Sequence, residues 1–221
     1  MSLFAMSALT EQDHLQGPAA VLKSHSARVS KAIFDPTDSK RAYSCGWDST
    51  VRSWDVESGV CVNAVVSFYR EVLQNHLIPY SWKTLPDRAH LDIALSASGT
   101  TLYTASADCT VSLIDVRAES SQSATKTLTH PSAPSCLAVH PSSAHHLLTG
   151  AHDGALRVRD VRSSRPALSK FEHTVKSKSG AVRKGKILGV DWAHGLAACA
   201  GEVGFSLWQA GVGGEEQNNS T

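Results

Sequence analysis

Gly46–Val56 reads GWDSTVRSWDV, and three later segments repeat its pattern. They are SADCTVSLIDV (Ser106–Val116), AHDGALRVRDV (Ala151–Val161) and AGEVGFSLWQA (Ala200–Ala210). An acidic residue stands third in each segment, and the tenth residue is Asp in the first three segments and Gln in the last. Apolar side chains recur at every second position, which is typical of a strand with one buried face. A pattern that recurs along a chain indicates a repeat architecture.

Each segment follows two further short apolar stretches, so a repeat unit contains three or four short strands. Asp-Ser-Thr and Asp-Gly supply turns between consecutive strands. Units of roughly 45 residues built from short antiparallel strands are typical of propeller blades. We therefore predict an all-β fold, a partial β-propeller of about four blades of antiparallel strands. The predicted units are residues 21–62, 91–118, 128–162 and 187–210.

The segments between the units lack the repeat. We predict a flexible N-terminal extension at 1–20, an irregular insert at 63–90, a polar linker at 120–127, a basic loop at 163–186 and a disordered tail at 211–221. Four blades are too few for a common closed ring and leave unpaired strand edges. We expect the chain to be the C-terminal part of a longer protein or an incomplete product.

Composition excludes several classes of protein. The chain has 221 residues, with 21 Lys and Arg against 20 Asp and Glu, and this balance argues against a dedicated nucleic-acid-binding domain. Hydrophobic residues make up 42% of the chain, which argues against wholesale disorder. The five cysteines form no CxxC pair, which favours buried thiols in a reducing compartment. No apolar run reaches about 18 residues, so we predict no membrane span.

Motifs of common enzyme classes are missing from the sequence. It contains neither a GxxxxGK[ST] phosphate loop nor a GxSxG nucleophile elbow. Four histidines surround one predicted turn without a reliable ligand spacing, namely His140, His145, His146 and His152. We expect no catalytic residue, no cofactor, no metal and no small-molecule substrate.

Two histidines precede the turn aspartate of their unit by the same distance. His25 lies 23 residues before Asp48, and His130 lies 23 residues before Asp153. At these positions the chain resembles the WD-repeat family. The resemblance implies a buried tetrad in each blade, in which a His, a Ser or Thr, the turn Asp and the strand Trp are joined by hydrogen bonds.

The match to this tetrad differs from unit to unit. The tetrad of unit one would be His25, Ser44, Asp48 and Trp54. Unit three matches at His130 and Asp153, with Arg159 in place of the Trp. Unit two lacks the His, and unit four has Glu202 for the Asp. A buried carboxylate requires hydrogen-bond partners, so we interpret the His–Asp pairs as structural and not catalytic.

Two further features are candidates for partner or RNA contact. VKSKSGAVRKGK contains five basic residues, namely Lys176, Lys178, Arg183, Lys184 and Lys186. This stretch is either a solvated loop between blades or a surface for RNA phosphates, an acidic partner or an import receptor. Trp47 precedes the turn aspartate of unit one and either packs between blades or reaches a binding face.

One stretch indicates a narrower group. VLKSHSARVSKAIFDPTDSKRAYSCGWDSTVRSWDVESGVCV (Val21–Val62) resembles the Ytm-type WD-repeat proteins of eukaryotic ribosome biogenesis, and VSLIDVRA, LLTGAHDGALRVRDVRS and GKILGVDWAHGLAACAGE follow in the order of that family. The resemblance implies a non-catalytic scaffold in pre-60S assembly and ribosomal RNA maturation, as part of a PeBoW-like complex. Its implied partners are a Bop-type WD-repeat protein, a pescadillo-type protein and the pre-ribosomal particle. Its implied location is the nucleus, nucleolus and nucleoplasm.

Two alternatives remain open from the sequence. IDVR (Ile114–Arg117) and RDVR (Arg159–Arg162) resemble the WD-x-Arg ending of substrate receptors for cullin ubiquitin ligases, although neither keeps the Trp. The other alternative is a non-functional truncated product.

Overall fold

The computed structural model describes residues 21–66, 89–117, 124–163, 165, 167–176, 180–193 and 195–209. These residues form seventeen strands and no helix. Five antiparallel sheets contain all of the strands, and four of the sheets stand in sequence as blades. The prediction of an all-β, partial propeller is confirmed.

Blades 1 to 3 each contain four strands in chain order, so every strand pairs with the one before it. Blade 1 comprises β1 (Val29–Phe34), β2 (Arg41–Gly46), β3 (Thr50–Asp55) and β4 (Cys61–Val66). Blade 2 comprises β5 (His90–Leu95), β6 (Thr101–Ser106), β7 (Thr110–Asp115) and β8 (Ala124–Thr129). Blade 3 comprises β9 (Pro134–Val139), β10 (His146–Ala151), β11 (Ala155–Asp160) and β12 (Ser169–Glu172).

The fourth blade is shorter and is preceded by a separate hairpin. The hairpin comprises β13 (Thr174–Lys176) and β14 (Val182–Lys184). Blade 4 comprises β15 (Ile187–Ala193), β16 (Leu196–Gly201) and β17 (Gly204–Gln209). In the described residues, β17 is therefore the edge strand of the last blade.

The first strand of every blade carries a bulge at its second residue, where the pairing register skips one position. The extra residues are Ser30, Leu91, Ser135 and Leu188. A bulge bends a strand and increases its twist. Its recurrence in all four blades shows that one backbone design is repeated.

Apolar side chains fill the space between consecutive blades. Tyr43 and Val51 of blade 1 pack with Ile93 and Leu102 of blade 2. Corresponding clusters join blade 2 to blade 3, and blade 3 to blade 4. Blades 2 and 3 therefore each bury one face against the preceding blade and the other against the following blade.

The structure corrects several predicted boundaries. β4 extends beyond the end of the first predicted unit at residue 62, and β5 starts one residue before the second unit. The predicted linker at 120–127 overlaps β8, the outer strand of blade 2, since its Lys126 pairs with Leu113 of β7. The predicted basic loop at 163–186 contains β12, β13 and β14. The predicted extension at 1–20, residues 67–88 of the predicted insert and the predicted tail at 211–221 lie outside the described residues.

Candidate functional site

A chain of hydrogen bonds crosses blade 1 from the third strand to the turn. The indole N–H of Trp54 donates to Ser44 Oγ at 2.8 Å. Ser44 Oγ lies 2.7 Å from His25 Nε2, and His25 Nδ1 lies 2.8 Å from Asp48 Oδ2. Because a carboxylate only accepts hydrogen bonds, His25 donates from Nδ1 and accepts the Ser44 hydroxyl proton at Nε2. The structure thus brings together all four residues predicted for unit one.

The residues around the turn of blade 1 keep the Asp48 carboxylate ionised. Burial opposes ionisation of Asp48, but hydrogen bonds from the Thr50 hydroxyl and from His25 outweigh it and hold the pKa of Asp48 below its ordinary value. The backbone N–H groups of Ser26 and Thr50 also donate to this carboxylate. The absence of a side chain at Gly46 lets the His25 imidazole and the Arg28 backbone lie close to this strand end. A Cβ atom on Gly46 would lie 2.8 Å from the carbonyl oxygen of Arg28 and 3.2 Å from His25 Nδ1.

The order Ser44, His25, Asp48 matches that of a hydrolase triad, but its surroundings differ. The His25 and Asp48 side chains are almost fully buried, and Ser44 is buried as well. Ser44 Oγ also accepts the indole proton of Trp54. A nucleophile must be able to reach a substrate. The burial of Ser44 favours a structural role for this chain of hydrogen bonds.

Blade 3 contains only part of the same arrangement. His130 Nε2 lies 3.0 Å from Thr149 Oγ1, which occupies the strand position of Ser44. The carboxylate of Asp153 pairs with the guanidinium of Arg157. The predicted pairing of Asp153 with His130 is therefore wrong: His130 Nδ1 lies 2.8 Å from the backbone carbonyl oxygen of Ser132, and the carboxylate neutralises the buried Arg157 guanidinium. Arg159, in place of the Trp, donates to the backbone carbonyl of Thr129 at 2.8 Å.

Blade 4 has a histidine that the spacing did not reveal. His173 follows the last strand of blade 3 directly, as His130 follows the last strand of blade 2. The backbone N–H of each histidine donates at 2.8 Å to the backbone carbonyl of the third turn residue in the preceding blade. This residue is Gly154 for His173 and Cys109 for His130. His173 is buried, and its Nδ1 lies 3.0 Å from Ser206 Oγ. The hairpin β13–β14 lengthens the distance from His173 to the turn and hides the equivalence.

The turn of blade 4 also departs from the predicted frame. In blades 1 to 3 a three-residue turn has Asp at its centre, and the Asp accepts the N–H of the residue two positions later at 3.1 Å. The third turn residue has a positive φ, as at Ser49, Cys109 and Gly154. In blade 4, Gly201 pairs directly with Gly204, so the turn has two residues. Glu202 is exposed and accepts the backbone N–H of Lys186, so it does not replace the turn Asp.

A polar site lies where the first strands of the blades converge. Asp92 of β5 accepts the N–H of Leu137 on β9 at 2.7 Å and pairs with Lys31 Nζ of β1 at 2.7 Å. The hydroxyl of Ser135 donates to the carbonyl of Ile187 on β15. These groups border a cavity of about 250 Å³ between the innermost strands. Sequence reasoning missed this site, whose contacts join residues of different blades.

The rim that carries the three-residue turns includes Trp47. This side chain is half-buried, and the guanidinium of Arg28 lies 5.3 Å from its ring centroid. Trp47 belongs to none of the apolar clusters between described blades. Its remaining exposed surface is on the rim, where His152 of blade 3 also lies.

Four of the predicted basic contact residues are described and exposed, namely Lys176, Arg183, Lys184 and Lys186, and two of them are paired with carboxylates. Lys184 contacts Glu172 at 2.7 Å, and Lys186 lies 4.0 Å from Glu202. Lys176 and Arg183 lie on the paired strands of the hairpin. Lys178 is outside the described residues. The positive charge of this surface is thus partly neutralised.

The two Arg residues of the WD-x-Arg-like endings have the same local geometry. Arg117 binds the carboxylate of Asp115 through two nitrogen atoms, at 3.0 and 2.8 Å, and Arg162 binds Asp160 at 3.0 and 2.7 Å. Both guanidinium groups are exposed. The hydrogen bonds from Arg117 lower the pKa of Asp115 to about 2.

Among the described residues, no group of three or more His, Cys, Asp or Glu side chains is arranged to hold a metal ion. The described part of the chain also has no helix long and apolar enough to cross a membrane.

Comparisons with known proteins agree with this geometry. The chain is similar to the Ribosome biogenesis protein YTM1 of Laccaria bicolor, with 38% identity over 204 residues, which are 91% of this chain and 39% of that protein. It is 37% identical over 207 residues to the protein of that name from Coprinopsis cinerea, covering 93% of this chain and 40% of the relative. It is 32% identical over 193 residues to the Ribosome biogenesis protein ytm1 of Aspergillus oryzae, covering 80% of this chain and 36% of the relative. The chain spans about two fifths of the length of these relatives.

The family comparison rests on the repeats themselves. The sequence profile described as WD domain, G-beta repeat matches residues 16–55, 83–115 and 122–160, which make up about half of the chain. The second and third matches end at the last residues of β7 and β11, and the first ends at the last residue of β3. With its repeated blades and the buried hydrogen bonds of blade 1, this chain belongs to the WD-repeat family.

Proposed function

We propose that this chain is a non-catalytic interaction scaffold in ribosome biogenesis. The observation that carries the proposal is the similarity to proteins named Ribosome biogenesis protein YTM1 across about nine tenths of the chain. The buried position of the Ser44, His25 and Asp48 side chains supports a scaffold, since these groups are engaged inside blade 1.

The finer proposal concerns the assembly in which the scaffold acts. We place it in pre-60S assembly and ribosomal RNA maturation, within a PeBoW-like complex that contains a Bop-type WD-repeat protein and a pescadillo-type protein. The corresponding location is the nucleus, with the nucleolus and nucleoplasm. The support is the resemblance of Val21–Val62 and the order of the later blades to Ytm-type proteins.

The rim of the three-residue turns is the surface we propose for partner contact. Strand pairs on either side hold each turn in place, and a rigid scaffold with a broad rim suits a flat protein surface. Trp47 offers a partly exposed aromatic ring that Arg28 already orients. Arg183 and Lys176 of the β13–β14 hairpin add positive charge for an acidic partner or for RNA phosphates.

Affinity purification of the tagged chain from its own nuclear extract, followed by mass spectrometry, tests this proposal. Pescadillo-type and Bop-type proteins should be recovered with pre-ribosomal factors, and RNase should not release the Bop-type protein. Trp47→Ala should reduce that recovery several-fold, because a buried aromatic side chain contributes strongly to protein interfaces. The control is Val60→Ala, an exposed apolar residue in the loop after β3, at the opposite end of that strand from Trp47.

Other outcomes would overturn the proposal. Recovery of a cullin adaptor that is lost on changing Arg117 or Arg162 would assign the chain to a ubiquitin ligase instead. Recovery of chaperones alone would identify the chain as a non-functional product. If RNase released every partner, the contact would be with RNA and the protein scaffold proposal would fail.

A further inference from the structure

The β13–β14 hairpin is a two-stranded sheet with open edges. Among the described residues, no strand pairs with the outer edge of β13 or of β14. All six residues of the two strands are exposed, including the apolar Val175 at 42% and Val182 at 57%. A two-stranded hairpin is only marginally stable by itself, and an open strand edge is a template for pairing with another extended chain. The hairpin therefore has both the backbone groups and the apolar surface to accept a further strand.

The base of the hairpin is held on the rim of the three-residue turns. Lys184 of β14 pairs with Glu172, the last residue of β12. A Cβ atom on Gly154, in the turn of blade 3, would lie 2.8 Å from the carbonyl oxygen of Gly185, which directly follows β14. The turn of blade 3 thus supports the end of β14, and the blades hold the open edges of the hairpin in a fixed position.

Each face of the hairpin combines an apolar side chain with a cation. Side chains alternate between the two faces along a strand, and residues that pair across the strands share a face. Val175 pairs with Arg183, so these two side chains lie on one face. Lys176 pairs with Val182, and these two side chains lie on the other face. A strand added to this hairpin would therefore meet both kinds of side chain.

The centre of β14 carries a cation that the described carboxylates leave unpaired. Lys184 is matched by Glu172 at 2.7 Å, whereas Arg183 forms no ion pair with a described acidic side chain. The sequence contains no Asp or Glu from residue 173 to residue 190. Opposite charges and apolar pairs each stabilise neighbouring strands. The edge of β14 is thus complementary to a strand that places a carboxylate opposite Arg183 and an apolar side chain opposite Val182.

We propose that β14 is a docking edge for an extended acidic segment of a partner protein, which adds a third strand to the hairpin. Carboxylate side chains of that segment alternate with apolar ones, so that a carboxylate faces Arg183 and an apolar side chain covers Val182. Backbone hydrogen bonds to β14 provide the affinity, and the alternating side chains provide the specificity. The proposal rests on the part of the proposed function that assigns partner contact to this rim, and it names the chemistry of one such partner.

An acidic protein strand fits this surface better than RNA does. RNA phosphates would contact the cations but would leave Val175 and Val182 uncovered. The chain has 21 Lys and Arg against 20 Asp and Glu, which is not the basic excess of a nucleic-acid-binding domain. RNA binding is therefore the alternative that the experiment has to exclude.

Fluorescence anisotropy with the full 221-residue chain and a labelled peptide of sequence DEVEVED tests the proposal. We expect saturable binding, which Arg183→Glu should weaken about tenfold or more, because like charges then face each other across the added strand. Arg165→Glu is the matched control and should bind the peptide as the unaltered chain does. Arg165 is an exposed arginine in the loop between β11 and β12, at the other end of β12 from the hairpin.

A second peptide separates strand addition from simple charge attraction. The peptide DEPEPED has the same charge as DEVEVED, but its prolines lack the backbone N–H groups that a paired strand donates. We expect it to bind about tenfold more weakly or worse. Hydrogen exchange locates the added strand, because bound DEVEVED should slow the exchange of the amides at 182–184 and leave those of blade 1 unchanged.

Circular dichroism should show the same strand content for Arg183→Glu as for the unaltered chain, since this side chain is exposed. No binding of DEVEVED, equal binding of DEPEPED, or an unchanged affinity in Arg183→Glu would overturn the proposal. Slower exchange confined to β13 would also overturn it, as would tighter binding of an oligouridylate with the same net charge as DEVEVED.

The peptide measurements require no ribosomal partner, so their failure is distinguishable from failure of the proposed function. If DEVEVED binds but affinity purification recovers neither a pescadillo-type nor a Bop-type protein, the docking edge stands and the proposed function fails. If the purification recovers both proteins but Arg183→Glu binds DEVEVED as the unaltered chain does, the proposed function stands and the docking edge fails.

Discussion

The carboxylate of Asp92 accepts the backbone N–H of Leu137 at 2.7 Å, and this bond joins the innermost strands of blades 2 and 3. The same carboxylate pairs with Lys31 of blade 1 and accepts the N–H of Ile93 at 2.8 Å. Asp92 is buried, so each of these groups replaces water that the carboxylate would otherwise bind. One side chain thus links three consecutive blades at the centre of the fold.

Asp92→Ala should lower the free energy of unfolding by about 2 to 3 kcal/mol, because it leaves the Leu137 N–H without its acceptor and Lys31 without its carboxylate. Urea unfolding followed by circular dichroism measures the change. Asp191→Ala is a matched control: Asp191 also accepts the N–H of the next residue at 2.8 Å, but it is exposed. Equal losses of unfolding free energy for the two substitutions would show that the link between the blades does not stabilise the fold.

The Trp54–Ser44 hydrogen bond should be energetically coupled to the hydrogen bonds that join Ser44 to His25 and His25 to Asp48. Ser44→Ala should cost about 1 to 3 kcal/mol of unfolding free energy, since it removes one partner each from the Trp54 indole and the His25 imidazole. In a double-mutant cycle with Trp54→Phe, the combined cost should be smaller than the sum of the single costs. Additive costs would mean that the two side chains stabilise the blade separately. Ser142→Ala, on an exposed loop, serves as the control.

Gly46 should resist substitution because of its surroundings and not because of its backbone angles. The Cβ of Gly46→Ala would meet the Arg28 carbonyl oxygen at 2.8 Å, and a backbone atom cannot move aside easily. We expect a loss of about 1 to 3 kcal/mol in unfolding free energy. A Cβ on Gly189 would meet no atom within 4 Å, so Gly189→Ala should have a much smaller effect in the same urea titration. A comparable loss for both would refute the steric explanation.

The repeat and the first tetrad were predictable because they depend on local spacing. A turn Asp accepts the N–H two residues later, so Asp48, Asp108 and Asp153 recur at a fixed position in the hairpin. Strand alternation follows from the pleat, and it identifies the buried face of each blade. Four units could therefore be found without knowledge of their contacts.

The remaining features depend on contacts that spacing does not encode. His130 Nδ1 contacts the backbone carbonyl of Ser132 and the carboxylate of Asp153 binds Arg157, so the repeat position did not determine the partner of either residue. β8 has a polar sequence, and its pairing with β7 rather than its composition makes it a strand. The contact of Asp92 with Leu137 spans 45 residues and arises only when two blades pack.

The unfolding free energy should fall as the pH drops below about 6.5, the ordinary pKa of histidine. Burial, followed by the nearby Arg159 and Arg157, lowers the pKa of His130 to about 4. The folded state therefore favours neutral His130, so its contribution is complete above the unfolded pKa and is lost as the pH falls toward 4. Burial lowers the pKa of His90 to about 4 in the same direction.

Urea titrations between pH 7.5 and 5 measure this dependence. Each such histidine adds a slope that approaches about 1.4 kcal/mol per pH unit. His130→Gln should reduce the slope, whereas His145→Gln, at an exposed position, should leave it unchanged. The lowered pKa values of Asp48 and Asp153 place their titration below this range. An unaltered slope in His130→Gln would show that His130 is not held neutral.

His173 should stabilise blade 4 as His130 stabilises blade 3. His173→Ala removes the contact with Ser206 Oγ at 3.0 Å and leaves a cavity where the buried imidazole was. We expect a loss of about 2 kcal/mol, concentrated in blade 4 because each blade contacts only its neighbours. Hydrogen exchange should therefore become faster in β16 and β17 while the amides of blade 1 keep their protection. His145→Ala controls for the loss of an exposed imidazole. Uniform exchange across all blades, or no change at all, would contradict the equivalence of His173 and His130.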